Sequence, residues 1–528
     1  IARFLADLGV ESKGQVVAGL SFALGGYLVA RATFFSMIWA AVWLPWLVWC
    51  VYTLIHAPTQ TSRFKHFIFL VIVMTMQLLA GHAQLTWYTW LLAGMWVIVG
   101  GLHAGGLRRM ARSLFGLGMA VIWAVGIAAV QLEPTFEYLQ LSPRAEAFAY
   151  EDALTYSFWP WRFLTLFVPD FFGSPGMGDY WGYASYWEDH LYLGLTPILL
   201  ALATIILLVR GLKAAERDRY WNLIRFAWSL LFIGFILGLG KFSPVFPFLY
   251  QWAPTFDMFQ APARFLIWAA FALPLLAAIG SQYWDCPTGR GLYWFRLGTA
   301  GTFAVTLGAG LAWLLMEDIQ LTFVRATALA GMWGLGFGLL TLLIPYARKN
   351  HRMPLWQWGS IVWILADLLV TGWELNPGVG LDFYSRSGAG MAALREAAPD
   401  QRLYLSRSEE YDLKFRRFLR FTDFRPLEDW RAMRDSVIPN LNLLDEISSA
   451  NNFDPLVTER YARWMAEIET LSPAARRGWL ALMNVGLEER IDGAAAGGVR
   501  FDRINEAQRF RWYGCAQMVT SQEEAWAL

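Results

Sequence analysis

AAVQLEPTFEYLQLSPRA, residues 128–145, starts as a membrane segment and ends as something else. An apolar run reaches Val130 and is followed by Gln131, Glu133, Pro134, Glu137, Ser142, Pro143 and Arg144. A helix over 134–141 would take Pro134 in its first turn and set both carboxylates on one face. There they would also meet the positive end of the helix dipole. Two readings follow from this placement. One is a solvated amphipathic helix on the outer surface. The other is a polar site at the membrane edge, where carboxylates bind sugar hydroxyls, a metal ion or a basic partner.

The rest of the chain decides that a membrane is involved. Of 528 residues, 56% are hydrophobic and 16% charged, with a mean hydropathy of +0.37. Soluble domains carry about 25% charged residues, so the composition is that of an integral membrane protein. The net charge of +1 gives no electrostatic footprint for nucleic acid. The 29 tryptophans fit interfacial belts. Cys50, Cys286 and Cys515 are far apart and form no redox or zinc spacing.

A membrane-spanning helix needs about 20 apolar residues. Eleven stretches qualify, near 14–31, 33–56, 66–81, 84–100, 114–131, 190–210, 222–239, 263–280, 294–315, 322–345 and 355–372. Alternate connections hold Arg3 and Lys13; Arg63 and Lys65; Arg108, Arg109 and Arg112; Arg210, Lys213, Arg217 and Arg219; Arg290; and Arg348, Lys349 and Arg352. The opposite short turns, GHAQ at 81–84 and MEDIQ at 316–320, hold no Lys or Arg. The positive-inside rule places the basic set in the cytoplasm. A large loop, 132–189, and everything after about 373 then lie outside. The expected organisation is an all-α polytopic domain over 1–372 and an extracytoplasmic α/β domain over 373–528. In the latter, QRLYLS reads as a strand, and LEDWRAMRDS and PLVTERYARWMAEIETL as amphipathic helices. The opening IARFLADLGVESKG reads as the tail of an earlier span entering a basic loop, so preceding sequence is expected.

Other polar residues share the outer side. His82 and Gln84 stand in the GHAQ turn. Glu188, Asp189 and His190 precede a span in DYWGYASYWEDHLYLGLTP. Three consecutive residues cannot converge on one ion, so the expectation is a helix cap plus one functional carboxylate, Glu188. Arg31 and Arg264 mark span ends. Arg264, in FDMFQAPARFLIW, either snorkels to headgroups or contacts a phosphate with its planar fork of donors. Asp367 is the clearest acid within a span. The Gly-rich GSPGMGDYWG does not have the spacing of a P-loop. No histidine falls mid-span as a haem ligand would, and sparse charge within the spans disfavours an ion pathway.

GHAQ, VQLEPTFEYLQLSPRA, WEDHLYLGLTPILLALA, FQAPARFLIWAAFALPLLAAIG, ADLLVTGWELNP and IPNLNLLDEISSANNFDPLVTERYARWM occur in that order. The series resembles the YfhO-like bacterial membrane proteins, which are similar to the GT-C superfamily of glycosyltransferases, and the likeness runs the length of the chain. The resemblance implies a multi-spanning enzyme of the cytoplasmic membrane. It would transfer sugar from a polyprenyl-phosphate donor to a lipid, polymer or protein acceptor outside the cytoplasm. The family's acidic catalytic residue lies in a loop that falls upstream of Ile1, so it is carried onto no position here. It also implies that the C-terminal domain continues past Leu528. On this scheme the substrate-binding candidates are Arg31, His82, Gln84, Gln131, Glu133, Glu137, Arg144, Glu188 and Arg264. Arginines would meet the lipid phosphate, and the other groups would orient sugar or acceptor. No cofactor is demanded, although the carboxylates could hold a divalent metal. Expected partners are membrane lipids, the lipid-linked sugar and other subunits of a membrane complex. The rival readings are a non-catalytic membrane subunit and a transporter or flippase.

Overall fold

The computed structural model describes residues 1–145, 148–183, 185–210, 214–283, 289–315, 321–343, 355–385, 391–397, 400–424, 430–454, 456–495, 498–504, 517–520 and 524. The segment 316–320, Lys213, Arg348, Lys349, Arg352, Cys286 and Cys515 lie outside them, as do the side chains of Arg210, Arg217, Arg219 and Arg290. The chain is mostly helical and forms two compact units. One comprises 1–140, 144–377 and 421–425; the other comprises 141–143, 378–420 and 426–528.

The first unit begins with α1 (Ala2–Asp7), α2 (Ser12–Ala23), α3 (Gly26–Val29), α4 (Phe35–Ala41), α5 (Leu44–His56), α6 (Gln60–Leu79) and α7 (Ala83–Gln140). Short helices α8 (Tyr150–Ala153) and α9 (Tyr186–Asp189) sit in the long loop that follows. Then come α10 (Leu195–Arg210), α11 (Ala214–Gly238), α12 (Val245–Trp252), α13 (Leu266–Gln282), α14 (Gly289–Leu315), α15 (Leu321–Leu343) and α16 (Leu355–Gly372). Among the described residues, six helical segments are long and apolar enough to cross a membrane: Phe35–His56, Gln60–Leu79, Ala83–Gln140, Tyr220–Gly238, Pro262–Gln282 and Thr322–Leu342. The protein is therefore a membrane protein, with six such segments among the described residues against the eleven expected. The stretch 14–31 is one reason for the difference, because it is broken between α2 and α3.

Helix α13 is the axis of this unit. Its sequence LIWAAFALPLLAAIGSQ carries no charge and is buried on every side, as a helix apolar all round should be. Gly280 lets α10 approach closely, since a Cβ there would overlap the Leu200 carbonyl oxygen.

Helix α7 is a folded-back pair, not a straight rod. Gly106 adopts φ 68°, which only glycine takes without cost, and the chain reverses there. A Cβ on Gly101 would lie 2.7 Å from the Met110 Cα, and one on Gly81 would lie 3.5 Å from the Gln131 side chain. Those two approaches define an antiparallel hairpin whose second arm draws level with the 81–84 turn at Gln131. The arm then continues nine residues to Gln140, about 14 Å further.

This geometry corrects the reading of 128–145. Residues 132–140 are the end of a helix rather than the start of a loop, and the loop begins at Leu141. Pro134 lies inside the helix, not in its first turn. Glu133 and Glu137 do share a face, but they are exposed and near the negative end of the dipole.

The second unit contains α17 (Asp382–Ser385), α18 (Met391–Ala397), β1 (Arg402–Leu405), α19 (Arg407–Tyr411), α20 (Trp430–Asp435), α21 (Glu459–Thr470), α22 (Pro473–Leu482), β2 (Val485–Ile491) and β3 (Val499–Arg503). Its sheet has the order β1-β2-β3, parallel between the first two and antiparallel between the last. Tyr404 packs with Ile468, Leu480 and Val485 on one face. Its neighbours Leu403 and Leu405 face the other way, the period-2 alternation of a strand.

Candidate functional site

Polar residues of the first unit collect where α3, α6, α7, α10, α13 and α16 meet the long loop. The centre is Glu188, which the short helix α9 delivers into the protein, its side chain 4% exposed. Arg264 binds it bidentately, with Nη2 to Oε1 at 2.7 Å and Nε to Oε1 and Oε2 at 3.0 and 3.3 Å. Arg31 approaches from the end of α3, its Nη2 donating to the Glu188 carbonyl at 2.7 Å and standing 3.4 Å from Oε2. Arg31 also donates to the Tyr27 carbonyl and lies over that ring at 3.9 Å. Gln84 completes the clasp: its Oε1 accepts from Arg264 at 2.7 Å and its Nε2 donates to Tyr88 and to the Gln260 carbonyl. Burial pushes the Glu188 carboxyl up, but Arg264 and Arg31 outweigh it and hold the group below its ordinary value. Glu188 is an ionised carboxylate enclosed by guanidinium groups.

The structure thus brings together Arg31, Gln84, Glu188 and Arg264. His82 is beside them: its Nδ1 accepts from the Leu85 amide at 3.2 Å and caps α7. Burial lowers its pKa to about 4, and Arg264 adds to the effect, so the ring is neutral. Gln131 reaches the same level against Gly81. Glu133 and Glu137, on the overshooting arm, and Arg144, exposed in a short turn after it, are not brought to the clasp.

Behind Glu188 lies a second buried layer. Arg162 Nε is 3.8 Å from Asp189 Oδ2, its Nη2 donates to the Tyr180 hydroxyl at 2.8 Å, and its guanidinium faces the Tyr186 ring at 5.1 Å. Burial raises the Asp189 carboxyl to about 7 against the pull of Arg162. It lowers the His190 ring, stacked on Tyr186, to about 3. The three residues in EDH therefore point to three different environments, as their consecutive positions require.

Asp367 is explained by its neighbours. It accepts from the Tyr192 hydroxyl at 2.8 and 2.9 Å and from the Leu195 amide at 2.9 Å. A side chain of α16 therefore caps the N-terminus of α10.

The layer ends at a cavity of about 410 Å³ between the loop, the start of α15 and the end of α16. Asp170, Ser174, Arg325 and Glu374 form its polar wall, and Leu329, Ala330, Trp333, Leu369 and Val370 its apolar wall. Arg325 Nη2 and the Thr322 hydroxyl both reach Asp179 Oδ2, at 3.3 and 3.1 Å. The partly buried Asp170 carboxylate accepts no hydrogen bond among the described residues. Burial raises it to about 6, with Arg325 opposing and Asp179 and Glu374 reinforcing. A carboxyl raised by burial on a cavity wall, beside an arginine, marks a candidate site. The sequence alone did not single it out; the available signal was one acid in FVPDFFGSPG and one arginine at the start of the LTFVRATALAG helix. Among the described residues no group of three His, Cys, Asp or Glu side chains is arranged to hold a metal ion.

Compared with family profiles, curated proteins and solved structures, the chain matches none. Its function is therefore read from the cavity and the polar layer beside it.

Proposed function

We propose that the protein is a membrane glycosyltransferase of the GT-C type, moving a sugar from a polyprenyl-phosphate donor to an acceptor on the non-cytoplasmic side of a bacterial cytoplasmic membrane. The observation that carries the reading is the amphipathic cavity. A polyprenyl-phosphate sugar needs an apolar wall for its chain, a cation for its phosphate and a carboxylate near the reacting carbon. Leu329, Leu369 and Val370, then Arg325, then Asp170 supply these in one place.

In this scheme Asp170 accepts the proton of the acceptor hydroxyl as its oxygen bonds to the anomeric carbon. The bond from that carbon to the phosphate oxygen breaks, and the polyprenyl phosphate leaves with the electron pair. Arg325 stabilises the developing charge on the leaving phosphate. Trp333 and Trp373 offer aromatic faces at the cavity wall and rim. Asp170 takes this role on geometry, as the carboxyl that shares the cavity wall with Arg325. The orientation rests on charge: the basic ends of α5, α6 and the α7 hairpin lie opposite the polar layer.

The test is donor turnover by the full-length protein in liposomes, with radiolabelled polyprenyl-phosphate hexoses. Asp170→Asn should slow turnover by about 10²–10⁴-fold while donor binding persists. Unchanged turnover in both Asp170→Asn and Arg325→Gln would sink the proposal. A second reading, a non-catalytic subunit of a membrane complex, is favoured by one observation: Glu188 is fully engaged by Arg31 and Arg264 and has no capacity left for a substrate. Retention of partner subunits with no donor turnover in any variant would support it.

A further inference from the structure

At the opposite ends of the helices from the polar layer, a cleft of about 610 Å³ opens between the end of α5, the start of α6 and the second arm of the α7 hairpin. Three arginines line it, Arg63, Arg109 and Arg112. Arg109 is structural. Its Nε donates to the Ile55 carbonyl at 2.7 Å and its Nη1 to the Ala104 carbonyl at 3.1 Å, tying the hairpin to the end of α5. Arg63 and Arg112 hold nothing together, since neither makes an ion pair or a side-chain hydrogen bond among the described residues. Gln60, the first residue of α6, brings the positive end of a 20-residue helix to the same cleft, with the turn before it fixed by Thr59 accepting from the Ser62 amide at 3.1 Å.

The other wall is apolar and faces outward. Phe64, Phe115 and Trp123 are 63%, 71% and 56% exposed and line one cleft, an exposed apolar patch of the kind that meets a membrane. Two cations without counter-charges among the described residues therefore lie directly above an exposed aromatic surface. A free inorganic anion would use the first feature and leave the second unexplained, and a neutral lipid would do the reverse. We infer that this cleft holds an anionic phospholipid, its phosphate between Arg63, Arg112 and the start of α6, and its acyl chains along Phe64, Phe115 and Trp123. Arginine suits this role because its planar fork of donors matches a phosphate. The inference is independent of the proposed activity, because the cleft lies at the far ends of the helices from Asp170.

The test uses the full-length protein in phosphatidylcholine nanodiscs, titrated with phosphatidylglycerol and followed by native mass spectrometry and thermal unfolding. Phosphatidylglycerol should be retained in preference to phosphatidylcholine and should raise the unfolding temperature. Each exposed-surface contact of this kind is worth about 1 kcal/mol, or roughly fivefold in affinity, so Arg112→Gln should weaken retention about fivefold and Arg63→Gln/Arg112→Gln more than tenfold. Arg112 is exposed and bonds to nothing described, so its substitution leaves the fold intact, and Arg112→Lys should restore part of the preference. Equal retention of the two lipids, retention unchanged in the Arg112→Gln and double variants, or equal stabilisation by inorganic phosphate would each overturn the assignment.

Discussion

Replacing Glu188 by Gln removes one charge from a cluster in which Arg31 is 1% and Arg264 17% exposed. The shape is nearly preserved, so the effect reports on charge. Losing one partner of a buried ion pair costs about 3–5 kcal/mol, because the remaining charge is left without compensation. Arg31 keeps the Tyr27 and Glu188 carbonyls and the Tyr27 ring, and Arg264 keeps Gln84 and some access to water. These contacts place the expected loss near the lower bound, about 3 kcal/mol, or about two decades in the folded-to-unfolded ratio. Reversible unfolding in mixed micelles, followed by the fluorescence of the 29 tryptophans, measures it. Adding Arg31→Gln should cost less than the sum of the single changes, with a coupling above about 1 kcal/mol. There is also a pH signature. A carboxyl held below its ordinary value of 4.5 contributes stability above that value and loses it as pH falls through the lowered one. Wild type should therefore lose more stability in acid than Glu188→Gln does. A Glu188→Gln loss under about 0.5 kcal/mol, with additive effects, would refute the view that this clasp holds the loop to the helices.

Donor turnover should rise with pH through about 6 and level off above it, because Asp170 acts only when ionised and burial holds its pKa there; a pH–rate profile flat from 5 to 8 would exclude it as the base. Asp367→Ala should cost about 1–3 kcal/mol and speed hydrogen exchange at the Leu195 amide, whereas Asp367→Asn, which still offers an acceptor, should cost less. Gly106→Val should destabilise the α7 hairpin by about 1–3 kcal/mol through backbone strain, since φ 68° with ψ −162° is a conformation that essentially only glycine adopts and a Cβ there meets nothing within 4 Å. Gly118→Val, in equally open surroundings but in regular helix, is the control, and equal losses in the two variants would show that the left-handed turn carries no strain.

The membrane was legible in the residues alone. Hydrophobic runs long enough to span a bilayer, a low charge content and basic clusters on alternate connections follow from composition, and composition is local. The strand at 402–405 and the helix at 459–470 were also legible, because each rests on neighbours within a few residues. The polar layer was not. Arg31, Gln84, Glu188 and Arg264 are separated by up to 233 residues, and only the packing of helix ends around α13 makes them partners. Residues 128–145 show the same limit from the other side. Two carboxylates and a proline looked like the start of a functional helix, and their shared face could be foreseen because helical spacing is local. Whether that face meets a site depends on where the α7 hairpin folds back, and a left-handed turn at Gly106 lets the arm overshoot and leaves Glu133 and Glu137 exposed. The burial that brings Asp170 towards neutrality arises in the same way, from chain segments more than 140 residues apart closing over one carboxyl. Local chemistry names the candidate groups. Long-range packing sets the dielectric and the neighbours that decide what each can do.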